Sequence, residues 1–188
     1  MISVLGIIPA RGGSKRLPGK NLKQINGQSL LEITIKQAKK ALPVSVISTD
    51  DAEIMREAGR FGVKTVVRPP ELATDEASIW DVVRHVIWTF PGFSWFCLLQ
   101  PTSPCRSVED ITNCVELAVE SGTSVVSTYL GKTNGAVYVG KTLPIEGDFL
   151  HEALHYEMPI WRSVDINTQE DLDNAIMYSK FQNDTWTA

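Results

Sequence analysis

The sequence has few cysteines, few histidines and no long apolar run. Its three cysteines, Cys97, Cys105 and Cys114, are an odd number and lack the paired spacing of a zinc site or a disulfide framework. We therefore expect reduced thiols in a cytoplasmic protein, with two of the three buried. No apolar stretch approaches the length of a membrane span, and the N-terminus lacks the apolar segment of a signal peptide. We expect no membrane association.

Excess positive charge is also missing. The formal net charge of the 188 residues is −4, which argues against a nucleic-acid partner because such proteins present a basic surface. Hydrophobic residues make up 43% of the chain and charged residues 21%, as in ordinary globular proteins. The length suits one domain over residues 1–188, large enough for a core of three packed layers.

One stretch near the start lacks acidic residues altogether. No Asp or Glu precedes Glu32, yet thirteen residues carry five cations: Arg11, Lys15, Arg16, Lys20 and Lys23. The apolar run from Val4 to Ile8 predicts a buried strand immediately before them. The adjacent Gly12 and Gly13 allow the backbone to turn and to direct N–H groups at an anion. The stretch therefore predicts a loop that binds the phosphate groups of a small molecule.

This loop differs from two common phosphate-binding motifs. Asn21, rather than Ser or Thr, follows Lys20, which excludes a Walker A loop, and the glycine spacing excludes a dinucleotide fingerprint. The stretch Pro-Ala-Arg-Gly-Gly-Ser-Lys-Arg-Leu-Pro-Gly-Lys-Asn at 9–21 closely resembles the N-terminal signature of the CMP-N-acylneuraminate (CMP-sialic acid) synthetases, a branch of the sugar-acid cytidylyltransferases. The resemblance implies a three-layer α/β/α, Rossmann-like nucleotidyltransferase fold with a mostly parallel central sheet.

The remaining sequence alternates between strand and helix patterns. Apolar periodicity predicts helices at 27–41, 52–61, 78–90, 108–120 and 169–181, and strands at 44–47, 64–67, 95–99 and 124–128. In the third helix we expect Trp80, Val83, Ile87 and Trp88 to lie in the core. Such alternation predicts a mostly parallel sheet that is covered by helices on both faces.

Polar residues follow several of the predicted strands, at the edge where open α/β sheets bind ligands. Asp50 and Asp51 end the second strand, where they either face a ligand or cap the next helix. Arg68 resembles the family's base-contacting arginine; from the residues alone it is a surface cation beside a proline turn. The segment at 98–106 resembles the family's Leu-Leu-Gln-Pro-Thr-Ser-Pro-Leu-Arg, with Cys105 replacing the Leu before the Arg.

The resemblance implies a role for each matching residue. Residues implied to bind the nucleotide are Ala10, Arg11, Gly12, Gly13, Ser14, Lys15, Arg16, Lys20, Asn21 and Arg68. Residues implied to contact the acceptor sugar are Gln100, Thr102, Ser103 and Asn134. Those implied in catalysis are Arg11, Lys20 and Asp165. Two family aspartates bind Mg²⁺, and here they correspond to Asp165 and Asn167; an amide can ligate Mg²⁺ but carries no charge. Asn167-Thr168 could equally cap the last helix.

The implied reaction is transfer of a cytidylyl group from CTP to a nonulosonic sugar acid, assisted by Mg²⁺. Two alternatives stay open. One is the same chemistry with another nucleotide or a legionaminate, pseudaminate or octulosonate acceptor, and the other is a non-catalytic nucleotide-binding relative. Only residues 129–133 stand where the family inserts a long excursion with a dimerisation hairpin, so we expect a monomer or a dimer of another kind.

A further motif suggests zinc. His151-Glu152-Ala153-Leu154-His155 matches the metalloprotease pattern of two histidines one helical turn apart with a Glu between them. The only other histidine, His85, falls in a distant predicted helix. We therefore interpret the motif as a surface helix without zinc.

Overall fold

A computed structural model describes residues 3–143 and 152–180. Within them the strands are β1 (Val4–Pro9), β2 (Gln24–Ile25), β3 (Gln28–Ser29), β4 (Val44–Thr49), β5 (Lys64–Val67), β6 (Trp95–Leu98), β7 (Val125–Tyr129), β8 (Lys132–Lys141) and β9 (Leu154–Glu157). The α-helices are α1 (Leu30–Ala41), α2 (Ala52–Arg60), α3 (Ile79–Thr89), α4 (Val108–Ser121) and α5 (Gln169–Ser179).

Seven strands form one mostly parallel sheet in the order β5-β4-β1-β6-β8-β7-β9. Strands β5, β4, β1 and β6 run parallel to one another, and β8 is antiparallel to both of its neighbours. The two remaining strands, β2 and β3, make a separate small hairpin. The carboxyl ends of the four parallel strands therefore open onto one edge, which confirms the predicted sheet.

Helices cover both faces of this sheet. Side chains alternate along β1, so Val4 and Ile8 pack with α1, α2 and α4, whereas Leu5 and Ile7 pack with α3 on the opposite face. Each of these four side chains is at least 94% buried. Burial of an aliphatic side chain of this size contributes about 1.5–3 kcal/mol. The alternation produces the predicted three-layer α/β/α architecture.

Helix α5 and the β2–β3 hairpin pack against the cation-rich loop. Leu17 in that loop is buried in a cluster with three other residues: Ile25 of the hairpin, Ile166 before α5, and Leu172 of α5. This small apolar cluster ties the end of the described chain to its beginning. The cations of the loop therefore project from a packed base rather than from a free segment.

Helix α1 begins three residues later than predicted. Asn26 and Gly27 have φ of 51° and 80°, the left-handed values of a tight hairpin turn, so they cannot belong to a helix. Ser29 then caps α1 by accepting a hydrogen bond from the Glu32 amide at 3.0 Å.

Three further expectations were wrong. Trp88 is 78% exposed because the buried stripe of α3 consists of Val82, Val83, Val86 and Ile87. The surface helix expected at 151–155 is also absent: His151 lies outside the described residues, and Leu154–Glu157 is strand β9, paired with β7. All three cysteines, not two, are buried, and none is in a disulfide.

Candidate active site

Four loops meet at the carboxyl edge of the sheet. They follow β1, β4, β5 and β6, which run parallel and so end side by side. In an open α/β sheet this edge is where ligands bind. The predicted site segments after these four strands are therefore brought together, as expected.

The cation-rich loop after β1 surrounds a cavity of about 420 Å³. Its lining consists of Arg11, Ser14, Lys15, Arg16, Lys20, Asn21 and Asp75. Four of the predicted phosphate-binding cations thus face a single space. Such a concentration of positive charge suits a polyphosphate, whose oxygens accept charge-assisted hydrogen bonds.

Hydrogen bonds hold the backbone of this loop in place. Asn21 is buried, and its side-chain amide donates to the carbonyl oxygen of Arg11 at 2.9 Å. The Gly12 N–H donates to Asp50 Oδ1 at 3.0 Å, and the Ala10 N–H donates to the Ser48 carbonyl at 2.9 Å. The amides of Ala10 and Gly12 are therefore engaged within the protein, contrary to the expectation that Gly12 offers its N–H to phosphate.

Gly12 is required for close packing rather than for phosphate contact. A Cβ at this position would collide with the carboxylate of Asp51. Asp51 in turn caps α2 by accepting hydrogen bonds from the Glu53 and Ile54 amides at 2.8 and 3.0 Å. The capping alternative for Asp51 is thus confirmed, while Asp50 faces the loop. No atom of the described residues would meet a Cβ at Gly13.

A second cleft of about 200 Å³ adjoins the first and shares Arg11, Lys20, Asn21 and Asp75 with it. Arg68 lines this cleft and is 5% exposed, so the interpretation as a surface cation was wrong. Its Nε donates to Ser48 Oγ at 3.2 Å and Nη2 to the Ser48 carbonyl at 2.9 Å. Burial lowers the pKa of Arg68 to about 10, although the negative charge of the nearby Asp50 acts to raise it. Within the described chain no hydrogen bond engages Nη1, which leaves it for a ligand.

The loop after β6 forms the far wall of the same cleft, where Gln100 and Thr102 line it. The Thr102 and Ser103 hydroxyls are buried and have no hydrogen-bond partner within the described residues. Arg106 is fully buried behind them, and its Nη1 donates to the carbonyls of Gln100, Ser103 and Ala136 at 2.8, 2.9 and 3.1 Å. This buried cation fixes the loop, so the Thr102 hydroxyl is held without an internal partner at the cleft, whereas Ser103 is fully buried and lines neither cavity.

Asn134, predicted to contact the acceptor, is engaged inside the protein. Its Oδ1 accepts from the Ser127 hydroxyl and from the Ala136 amide, and its Nδ2 donates to Ser163 Oγ at 3.0 Å. These bonds link β7, β8 and the segment that leads to α5. The contacts give Asn134 a framework role beside the site.

Asp165 and Asn167 lie opposite the cation-rich loop. Asn167 Oδ1 accepts from Arg16 Nη2 at 2.9 Å and from Lys20 Nζ at 3.4 Å, and its Nδ2 donates to Asp165 Oδ2 at 2.7 Å. Thr168, not Asn167, is the N-cap of α5, since its hydroxyl accepts from the Asp171 amide at 3.2 Å. The Asn167 side chain therefore faces the site.

The donors present suit Mg²⁺ only in part. Among residues 3–143 and 152–180, no group of three His, Cys, Asp or Glu side chains could hold a metal ion alone. Mg²⁺ commonly binds through one or two carboxylates together with substrate phosphates. One exposed carboxylate, Asp165, with the Asn167 amide beside it, fits a site of that kind.

Lys20 is the half-buried cation of the cluster. Burial lowers its pKa below 10.5, and the charges of Arg16 and Arg11 act in the same direction, whereas Asp165 raises it. A negatively charged ligand would reverse this shift by favouring the protonated amine.

Sequence reasoning missed Asp75, which pairs with both Arg11 and Lys15. It also missed Ser48, which positions Arg68. Both contacts join segments distant in the sequence, and neither residue belongs to a motif that indicates its role. Separately, no helix in the described part of the chain is long and apolar enough to span a membrane.

The sequence is similar to those of known cytidylyltransferases. The sequence profile of the family described as "Cytidylyltransferase" matches residues 5–142. The chain is 39% identical over 131 residues to a CMP-N,N'-diacetyllegionaminic acid synthase of Legionella pneumophila, a match that covers 66% of this chain. It is 29% identical over 217 residues to an N-acylneuraminate cytidylyltransferase of Streptococcus agalactiae, covering 90% of this chain.

Solved structures share the fold. A CMP:2-keto-3-deoxy-manno-octonic acid synthetase complexed with CTP superposes with a TM-score of 0.71 at 16% identity, covering 96% of this chain and 99% of that one. A nucleotidyl transferase from Methanothermobacter thermautotroptrophicus gives 0.72 at 16% identity, covering 95% and 99%.

The chain spans about half the length of the curated relatives it matches: 56% of the Legionella protein and 52% of the Streptococcus protein are covered. The matched family region nevertheless includes the cation-rich loop, Arg68 and the loop after β6. On this match, the chain belongs to the cytidylyltransferase family.

Proposed function

We propose that this chain transfers a cytidylyl group from CTP to a hydroxyl of a nonulosonic sugar acid and releases pyrophosphate. The observation that carries the proposal is the convergence of Arg11, Lys15, Arg16 and Lys20 on one cavity, beside a cleft lined by the buried Arg68. Relatives named for N-acylneuraminate and for diacetyllegionaminic acid support the acceptor class.

In this reaction the sugar hydroxyl attacks the α-phosphate, a new P–O bond forms, and the bond to the leaving pyrophosphate breaks. Negative charge grows on the α-phosphate oxygens and on the pyrophosphate, so fixed cations provide most of the stabilisation. Arg11 and Lys20 line both cavities, so in this proposal they would contact the α-phosphate. Lys15, Arg16 and Ser14 line only the larger cavity, which suits the terminal phosphates.

Mg²⁺ bound with the substrate would neutralise charge on the departing pyrophosphate. Asp165 would be its carboxylate ligand, and Asn167 would contribute a neutral oxygen if its amide turned away from Arg16. Asp165 is exposed beside Asn167, and as a metal ligand it would also lie near the incoming sugar hydroxyl.

Arg68 would select the nucleotide. A guanidinium held by two bonds to Ser48 can donate from its remaining nitrogen to a base carbonyl without losing its position. Gln100 and Thr102 would contact the acceptor or the α-phosphate with neutral donors, and Arg106 would hold their loop in place. Ser103, which was also predicted to contact the acceptor, is fully buried and would act only through this loop. Asn134 would act through the framework that it joins.

Pyrophosphate release tests the proposal. Wild-type protein is incubated with Mg²⁺, each of the four ribonucleoside triphosphates and a panel of N-acetylneuraminate, legionaminate, pseudaminate and octulosonate. We expect release with CTP and one or more of the nine-carbon acids. Release with another nucleotide only, or with the octulosonate only, would replace the assignment.

A second candidate is a nucleotide-binding relative without turnover. It is favoured by Asn167, whose amide replaces a carboxylate and is bound to Arg16, Lys20 and Asp165. This candidate predicts that CTP binds, as calorimetry would show, while no pyrophosphate is released with any acid of the panel.

Two features of the surroundings extend the proposal. The three free, buried cysteines support a reducing, cytoplasmic location.

Only Leu130 and Gly131, with φ of 50° and 71°, join β7 to β8, so a dimerisation hairpin has no place between these strands. We therefore propose a monomer, or a dimer through another surface, and light scattering would distinguish the two.

A further inference from the structure

The segment between β5 and α3 returns to the cation-rich loop through Asp75. Asp75 Oδ1 pairs with Nη2 of Arg11, and Oδ2 lies 2.8 Å from Nζ of Lys15. Arg11 Nη1 also donates to the Ala73 carbonyl at 3.2 Å. Both carboxylate oxygens therefore engage cations that the proposed function assigns to the triphosphate.

The ion pair between Arg11 and Asp75 lies where a ligand would enter the two cavities. Arg11 and Asp75 each line both cavities, so the ion pair stands at their boundary. A polyphosphate that contacts Arg11 Nη2 and Lys15 Nζ competes with the two carboxylate oxygens for these donors. The carboxylate and the polyphosphate repel each other, and the two cannot share the same donors at full strength.

The carboxylate keeps its charge under all ordinary conditions. Hydrogen bonds from Arg11 and Lys15 lower the pKa of Asp75 from 3.8 to about 2. The pairing is therefore complete above pH 3.8 and is lost only as the pH falls towards 2. Any competition with phosphate is consequently insensitive to pH in the range where enzymes operate.

We propose that Asp75 is an internal competitor of the polyphosphate for Arg11 and Lys15, which weakens the binding of CTP and of its pyrophosphate product. When pyrophosphate leaves, Asp75 takes back the two cations. A ligand without terminal phosphates, such as cytidine, does not meet this competition. The inference rests on the proposed function, because it assumes that the cation-rich loop binds a polyphosphate.

The chain offers a matched control in the next residue. Glu76 is exposed, carries the same charge and makes no ion pair among the described residues. Its charge nevertheless acts on Lys15, whose pKa it raises slightly alongside Asp75. E76Q therefore removes a negative charge from the same loop without removing the contact.

The experiment measures the Kd of inorganic pyrophosphate, CTP and cytidine by calorimetry for wild type, D75N and E76Q at one fixed ionic strength. We expect D75N to bind pyrophosphate and CTP about three- to tenfold more tightly, because two partly exposed ion pairs no longer compete. Cytidine should change by less than about twofold, as should every Kd of E76Q. D75S, which also removes the charge, serves as a second variant if thermal unfolding shows that D75N is misfolded.

Four results would overturn the inference. Weaker pyrophosphate binding in D75N would mean that Asp75 orients the cations for the ligand. Equal tightening in D75N and E76Q would mean that only the net charge of the loop matters. A wild type that binds neither pyrophosphate nor CTP would overturn the proposed function as well, whereas a wild type that binds both, with D75N no tighter, would overturn this inference alone.

Discussion

Arg16 donates a hydrogen bond of 2.9 Å to the side-chain oxygen of Asn167, a residue 151 positions later in the chain. Lys20 donates to the same oxygen, and the amide nitrogen of Asn167 donates to Asp165. A neutral side chain thus connects two cations of the loop to the one carboxylate opposite them. Because the Asn167 amide carries no charge, it does not neutralise Arg16 and Lys20, whose positive charges can still attract an anionic ligand.

The first prediction changes this bridge. N167D would place a second carboxylate beside Asp165, and two adjacent carboxylates attract a hard cation more strongly than one. We expect the Mg²⁺ concentration for half-maximal pyrophosphate release to fall about three- to tenfold. Without Mg²⁺, pyrophosphate should bind N167D more weakly than wild type, because the new carboxylate pairs with Arg16 and Lys20. An unchanged Mg²⁺ titration would assign Asn167 a purely structural role.

The second prediction removes one cation. R11A should lower kcat/KM for CTP at least about tenfold, since a charge-assisted phosphate contact contributes about 1.5–3 kcal/mol. R56A is the control: Arg56 is an exposed arginine on α2 that lines neither site cavity. Steady-state pyrophosphate release measures both variants, and equal rates for R11A and R56A would contradict the phosphate assignment.

The third prediction concerns pH. Burial holds the pKa of free Lys20 below 10.5, and a bound polyphosphate should raise it by favouring the protonated amine. Affinity for pyrophosphate is therefore greatest below the pKa that Lys20 has in the unliganded protein, and it declines as the pH rises through that pKa. The pKa of Lys15 is raised by Asp75, so Lys15 titrates later. In K20R, whose guanidinium stays charged, the alkaline decline should disappear from calorimetric titrations; its persistence would exclude Lys20 as the titrating group.

The fourth prediction separates the base from the phosphates. R68K keeps the charge but loses the planar group that bonds Ser48 twice, so it should lose base contact. We expect the Kd of CTP to rise about tenfold while the Kd of pyrophosphate stays within about twofold. Equal weakening of both ligands would indicate that Arg68 only stabilises the loop, and circular dichroism would check that the variant is folded.

Local sequence patterns predicted much of the fold. Strand β1, the helices and the mostly parallel sheet followed from apolar periodicity and from glycine and proline signals, whereas the order of the strands was not predicted. Strand β8 was not predicted, because its first residues, Lys132-Thr133-Asn134-Gly135, are polar and its pairing with β6 is non-local. For the same reason the segment at 154–157 was assigned to a helix, although pairing with β7 makes it a strand.

The candidate site shows the same division. The cation-rich loop is evident from its composition, and its position at the sheet edge was predicted because it directly follows a strand. Pairings between distant segments could not be foreseen: Asp75 with Arg11, Ser48 with Arg68, and Asn167 with Arg16 each depend on how loops from different strands meet. Sequence identified the groups that carry charge, and tertiary structure determined their partners.

The most direct test of the account is a crystal structure of the protein with CTP and Mg²⁺. The account predicts the triphosphate within hydrogen-bonding distance of Arg11, Lys15, Arg16 and Lys20, with the cytosine in the cleft beside Arg68. A nucleotide bound away from the carboxyl edge of the sheet, with these four side chains directed into solvent, would contradict it.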